Sequence, residues 1–333
     1  MRSSPKWVAA LLKIAITASI LAFLASRLPL NEIPAHFTKI NGACLVAAWL
    51  VLGLAILISN ARWKILLYVQ GIRVGFGKLL QISLIGQFFN AFLLGATGGD
   101  IVMISYVMRE TTEDRTRAGF SVVVDRFVGI ASLLVWMLVT MPFLMNRLDS
   151  RDGFARIITF MIQAAAVGLL AMLLVVLLFS YAGVRAVLKE FLSSLKFGSK
   201  AVILVDAVAQ HFVRHRAAGW AVLVGLVVAP FLIGAAWFAA RAIGLNASYG
   251  DLLAVLPLVF VISSLPISLG GLGPREGIIA VLFPAFGIVD VGNSAFAVTF
   301  SLLWYFLTIS WSLVGAMVYL SMVSIARAAE TVR

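Results

Sequence analysis

Five charged residues stand in strongly apolar surroundings: Asp100 in GATGGDIVM, Asp125 and Arg126 in SVVVDRFVG, and Arg275 and Glu276 in SLGGLGPREG. A charge at the centre of a membrane helix costs roughly 2.5–3.5 kcal/mol. Five unpaired charges would together cost on the order of 15 kcal/mol, as much as a whole domain's stability. They must therefore pair, face water or meet a charged ligand. A planar guanidinium matches phosphate, and an acid in such a place can lock an arginine or carry a proton. Neighbours on a helix point to different faces, so neither Asp125–Arg126 nor Arg275–Glu276 is predicted to pair internally. The expected partners are Arg275 with Asp125 or Asp100, and Arg126 with Glu276.

Glycine-rich breaks flank these charges. Pro274 suits the first position of a helix, where its missing N–H costs nothing, which predicts a half-helix over 274–286. Thr97 or Asp100 would cap a second, running from about 100 to 110. Two helix N-termini aimed into the membrane from opposite sides make an anion site. The expected headgroup-binding set is Arg126 and Arg275 with Gly98, Gly99, Gly271, Gly273 and Asn90, where Asn90 is a ligand contact or a helix–helix hydrogen bond. Asp100, Asp125 and Glu276 are expected to couple protons or form ion pairs. The alternative role for all these charges is a buried lock between two halves of the chain.

Other chemistry finds little support. His36, His211 and His215 have no carboxylates at ligand spacing, and Cys44 is the single cysteine, so neither a metal site nor a disulfide is expected. No cofactor is expected either: the GG and GxG patterns are not preceded by a strand, as a nucleotide fingerprint requires.

The elements that position these residues must be membrane helices. Of the 333 residues, 62% are hydrophobic and 12% charged, against about 25% charged in a soluble domain. Unpaired backbone groups in lipid force such spans to be helical. Six stretches read as crossings: 7–26, 43–59, 120–142, 157–181, 217–240 and 295–322. The first resembles a signal peptide, but its apolar stretch is longer than such a region needs, and it is expected to be retained. Residues 79–107 and 252–287 are broken segments. A net charge of +12 reflects cytoplasmic loops and anionic lipid rather than nucleic acid.

Loop charge decides how the broken segments run. If both re-enter, seventeen Lys and Arg lie inside and six outside; if both cross, the two sides carry nearly equal numbers. The positive-inside rule favours re-entry, with cytoplasmic N and C termini. The expected fold is an all-α integral membrane protein with six transmembrane helices and two re-entrant segments. It forms one domain, in which residues 1–142 and 157–322 are inverted-topology repeats. Interrupted segments at matching positions of such repeats point to a transport site near the midplane. Residues 182–216 are expected to lie on the cytoplasmic leaflet as an amphipathic connection, with 62–70 a similar anchor.

The stretches NAFLLGATGGD (90–100), SVVVDRFVG (121–129), SLPISLGGLGPREG (264–277) and RWKILLYVQG (62–71) resemble the flippase-like transmembrane domain of lysylphosphatidylglycerol synthases. The resemblance covers nearly the whole chain. It implies movement of a lipid between leaflets of a bacterial inner membrane, with Gly98, Gly99, Asp100, Asp125, Arg126, Arg275 and Glu276 at the family's motif positions. Bifunctional members carry a soluble synthetase domain; with the chain ending at Arg333, aminoacyl transfer is not expected. The cargo stays open among an anionic phospholipid, an aminoacyl-lipid, a hopanoid-type lipid and a polyprenyl-phosphate lipid. Two other readings are a lipid-modifying transferase and a non-catalytic partner of a lipid-synthesising enzyme. The polar inventory of the 182–216 loop is poor for catalysis.

Overall fold

The structure, a computed structural model, describes residues 40–92, 98–111, 115–145, 152–193, 215–264, 273–290 and 294–331. Ten helices run through them: α1 (Gly42–Val69), α2 (Phe76–Phe92), α3 (Gly98–Val107), α4 (Arg115–Met145), α5 (Asp152–Ser180), α6 (Ala182–Ser193), α7 (His215–Ala242), α8 (Tyr249–Ser264), α9 (Pro274–Ala285) and α10 (Ser294–Thr331). Five of them, α1, α4, α5, α7 and α10, are long and apolar enough to cross a bilayer. The chain is a multi-pass membrane protein. The span expected at 7–26 lies outside the described residues, as do Gly271 and residues 194–214 of the expected amphipathic connection; α6 covers its start.

The expected anchor at 62–70 is instead the last part of α1. Arg62, Trp63, Leu66 and Leu67 are all buried there. Trp63 packs with Leu67, Ile72 and Leu79, and its indole N–H donates to the Ser121 hydroxyl at 2.9 Å. A tryptophan that is apolar over its body and satisfied at its one donor belongs inside a protein as readily as at an interface; the flanking Arg62 disguised it.

Helices α1 and α7 pack face to face at the centre. The alanine stripe Ala235, Ala236, Ala239 and Ala240 is fully buried, and small residues let two backbones approach closely without hydrophobic drive from lipid. Their ends are tied as well, the Asn41 amide donating to the Ala242 carbonyl at 2.8 Å. Both helices end alike. Ile72 N–H donates to Leu67 and Gly71 N–H to Tyr68; Leu245 N–H donates to Ala240 and Gly244 N–H to Arg241. Each cap is a Schellman motif turning on a left-handed glycine, Gly71 at φ 79° and Gly244 at φ 80°. The sequence repeats with the geometry: GIRVGFGKLL from Gly71 and GLNASYGDLL from Gly244 share two glycines, an aromatic and the closing leucines.

Matched packing extends outward. Helix α2 packs on α10 and α8 on α4; α3 sits between α2 and α4 as α9 sits between α8 and α10. Both interrupted segments are thus two helices each, close to the expected half-helices at about 100–110 and 274–286. The first turns back on itself. A Cβ at Gly99 would fall onto the Gly86 carbonyl oxygen, and one at Gly86 onto the Met103 side chain, so α3 lies against α2 with backbones touching. Gly315 of α10 meets the Leu84 carbonyl of α2 in the same way.

Gly99→Ala should therefore open the α2–α3 hairpin, costing about 1–3 kcal/mol as overpacking does. Gly77→Ala, with nothing within 4 Å of the added carbon, should leave stability unchanged or slightly raised. Thermal unfolding of the detergent-solubilised protein separates the two.

Candidate functional site

The half-helices α3 and α9 begin in the same manner. Gly98, Gly99 and Asp100 are the first three residues of one; Pro274, Arg275 and Glu276 are the first three of the other. A carboxylate in the third position accepts from orphan amides and opposes the positive end of the helix dipole. Glu276 does so directly, Oε2 accepting from the Gly273 N–H at 2.6 Å. Gly273, buried with φ 90°, holds a conformation that a side chain would strain. In the other half-helix Asn90 carries the contact: its Oδ1 accepts from the Gly99 N–H at 2.8 Å, and its Nδ2 donates to Asp100 at 3.4 Å. Asn90 is thus a hydrogen bond between α2 and α3.

Each acid is clamped by an arginine, though not by the expected one. Arg126 donates from Nε and Nη2 to Asp100 Oδ1, at 3.1 and 2.8 Å. Arg275 donates from Nε and Nη2 to its own neighbour, Glu276 Oε1, at 3.2 and 2.7 Å. Ser301 of α10 closes that pair into a triangle, accepting from Arg275 Nε at 3.0 Å and donating to Glu276 at 2.8 Å. The expectation that adjacent residues diverge fails here because both side chains fold toward Ser301 at a helix start, where no preceding turn blocks them. The Tyr305 ring lies 5.3 Å from the Arg275 guanidinium, a cation–π contact.

Asp125 takes a partner that sequence reasoning missed. Arg62 grips it with Nε and Nη2 at 2.8 and 2.9 Å, a fork matched to both carboxylate oxygens. The pair is almost wholly buried, with side-chain exposures of 5% and 8%. Gly129 of α4 makes room for the guanidinium, 3.4 Å from where its Cβ would be. Sequence reasoning places Arg62 in the 62–70 anchor; the signal that could have found it is the apolar stretch Ile65–Val69, which carries the helix on past Ser59, Asn60 and Lys64.

Asn90, Asp100, Arg126 and Arg275 line one cavity of about 420 Å³, walled by Ser263, Ser264, Tyr305 and Thr308 among others. Residues at the starts of both half-helices therefore border a single space. Arg126 is the accessible member, its side chain 45% exposed. Both guanidiniums spend Nε and Nη2 within the protein, and Nη1 of each has no partner among the described residues. Asp125 lies apart, on a smaller cavity of about 180 Å³, and Glu276 sits behind Arg275. Among the described residues no cluster of His, Cys, Asp or Glu could hold a metal.

Comparison with known families decides the wider relationship. The model of the lysylphosphatidylglycerol synthase TM region matches residues 10–316. The chain belongs to that family. As a member of the lysylphosphatidylglycerol synthase TM family with membrane-spanning helices, it has a membrane lipid-related role. No curated protein matches it.

Arg62→Met should lower stability by about 3–5 kcal/mol, because it strands a buried carboxylate. The double change Arg62→Met with Asp125→Leu should recover most of that loss, which a thermal-unfolding double-mutant cycle will measure.

Proposed function

We propose that this protein moves a phosphate-bearing lipid between the leaflets of the bacterial inner membrane. It acts as a translocator and not as an enzyme, without a cofactor, with both termini cytoplasmic. Residues 1–142 and 157–322 form its inverted repeats, and 79–107 and 252–287 re-enter the membrane. The matched caps at Gly71 and Gly244, the recurring motif and the paired helix contacts support the repeats. A lipid-synthesising enzyme is a natural partner to supply the cargo.

One observation carries the reading: two arginines, each at the mouth of a half-helix from a different segment, line the same cavity. The idealised cost of taking a small ion from water into a low-dielectric medium is of order 20 kcal/mol, so a headgroup crosses only along a polar route. Nη1 of Arg126 and of Arg275 would hold the phosphate together with the half-helix amides. The acyl chains would remain outside, beside an adjoining cavity of about 190 Å³ walled by Ile130, Leu133, Ala229 and Leu232. Because each arginine keeps its own carboxylate, phosphate and acid compete for the same guanidinium. Protonation of Asp100 would then tighten the hold on phosphate, and its loss would ease release.

Arg126→Ala is the cleaner probe, since Asp100 keeps the Asn90 bond and is 22% exposed. Exchange of a fluorescent phosphatidylglycerol in reconstituted vesicles should slow tenfold or more, since truncating one partner of a hydrogen-bonded charge pair costs about 2–5 kcal/mol. Undiminished exchange sinks the site. For the second arginine, Arg275→Met combined with Glu276→Gln should also abolish exchange while avoiding an orphaned acid.

A further inference from the structure

Among the described residues, a buried side-chain oxygen without a partner belongs to a residue on the wall of the smaller cavity. Asn60 of α1 is 2% exposed. Its Nδ2 donates to the Ile56 carbonyl of its own helix at 2.9 Å, while its Oδ1 has no partner. A buried carbonyl left without a donor costs about 1–3 kcal/mol, and such groups mark places where something else supplies the donor. Asn60 lines the chamber of about 180 Å³ with Ser59, Ser83, Gln87, Asp125 and Arg126. Arg126 and Gln87, with Leu52, Ile56 and Leu232, line the larger cavity too, so the chamber opens off the phosphate site.

The charge balance says what kind of donor fits. Asp125 is held by both Arg62 nitrogens, and Asp100 by Arg126. Among the described residues, every carboxylate lining either cavity is thus already neutralised by an arginine. An ammonium group entering the chamber would meet Arg126 and find no uncommitted acid, and burying an unpaired charge is far costlier than burying a hydroxyl. Hydroxyls, by contrast, can donate to Asn60 Oδ1 and exchange bonds with Ser83 and Gln87. The chamber has room for several waters or a group of glycerol size.

We infer that the chamber built around Asn60 receives the hydroxyl-bearing, uncharged end of the headgroup whose phosphate is held at Arg126 and Arg275. This deepens the proposed translocation and rests on it for the phosphate position. It selects a polyol phosphate lipid over an aminoacylated or ethanolamine one, and it does so within a family named for a cationic lipid.

Lipid binding by the full-length protein in detergent, read by native mass spectrometry, tests this independently of transport. Phosphatidylglycerol and phosphatidylmethanol carry the same charge and differ in the hydroxyls. The wild-type protein should prefer phosphatidylglycerol by about threefold to tenfold, the range of one or two neutral hydrogen bonds. Asn60→Leu should erase that preference while raising the thermal midpoint of the lipid-free protein, because the orphaned carbonyl is gone. Asn60→Asp should shift retention toward phosphatidylethanolamine. Equal retention of the two phosphatidyl alcohols by the wild type, or tighter retention of lysyl-phosphatidylglycerol, overturns the inference and leaves translocation standing. Equally strong binding of a phosphate-free diglucosyl lipid would instead remove the phosphate site and keep the chamber.

Discussion

A charge inside an apolar slab is tolerable only when its counter-charge is held in place, and this requirement organises the molecule. Arg62–Asp125, Arg126–Asp100 and Arg275–Glu276 each join a guanidinium to a carboxylate within hydrogen-bond distance. They differ in what surrounds them. The first is almost wholly buried between α1 and α4, its carboxylate and guanidinium satisfied by each other, although both residues reach the wall of a cavity. The second is half open, and the third is buried yet fronts a cavity. Three chemically similar pairs thus form a gradient from almost wholly buried to half open.

The half-helices solve two problems with one device. Interrupting a membrane helix leaves amides without partners in surroundings that offer no water. Placing a carboxylate in the third position satisfies part of that deficit and also anchors an arginine at the break. The glycines are needed for space and for turning: Gly99 because the Gly86 carbonyl occupies the place of a side chain, Gly273 because the entry to α9 turns through positive φ. The break motifs thus encode close approach, a stopped helix and a held cation within a few residues.

Much of this was legible in the sequence. Apolar run length located the five long helices, and Pro274 with the glycines around it located the start of α9, because both signals are local. Pairing was not legible. Which acid meets which arginine depends on where α10 delivers Ser301 and on how α1 extends beyond the expected end at residue 59, and neither follows from spacing. Arg62 reads as part of a surface anchor because it follows the polar Ser59 and Asn60, where the apolar run is expected to end. The recurrence of the Gly71 and Gly244 segments was visible throughout, but it is short and imperfect, and its meaning emerges only when both are found to cap equivalent helices.

The backbone contact between Gly86 and Gly99 has a mechanical consequence. With two legs fused at van der Waals distance, no acyl tail can wedge between them and neither can bend without the other. The α2–α3 hairpin is therefore a stiff paddle, and any widening of the central space must come from the long helices sliding along its flanks.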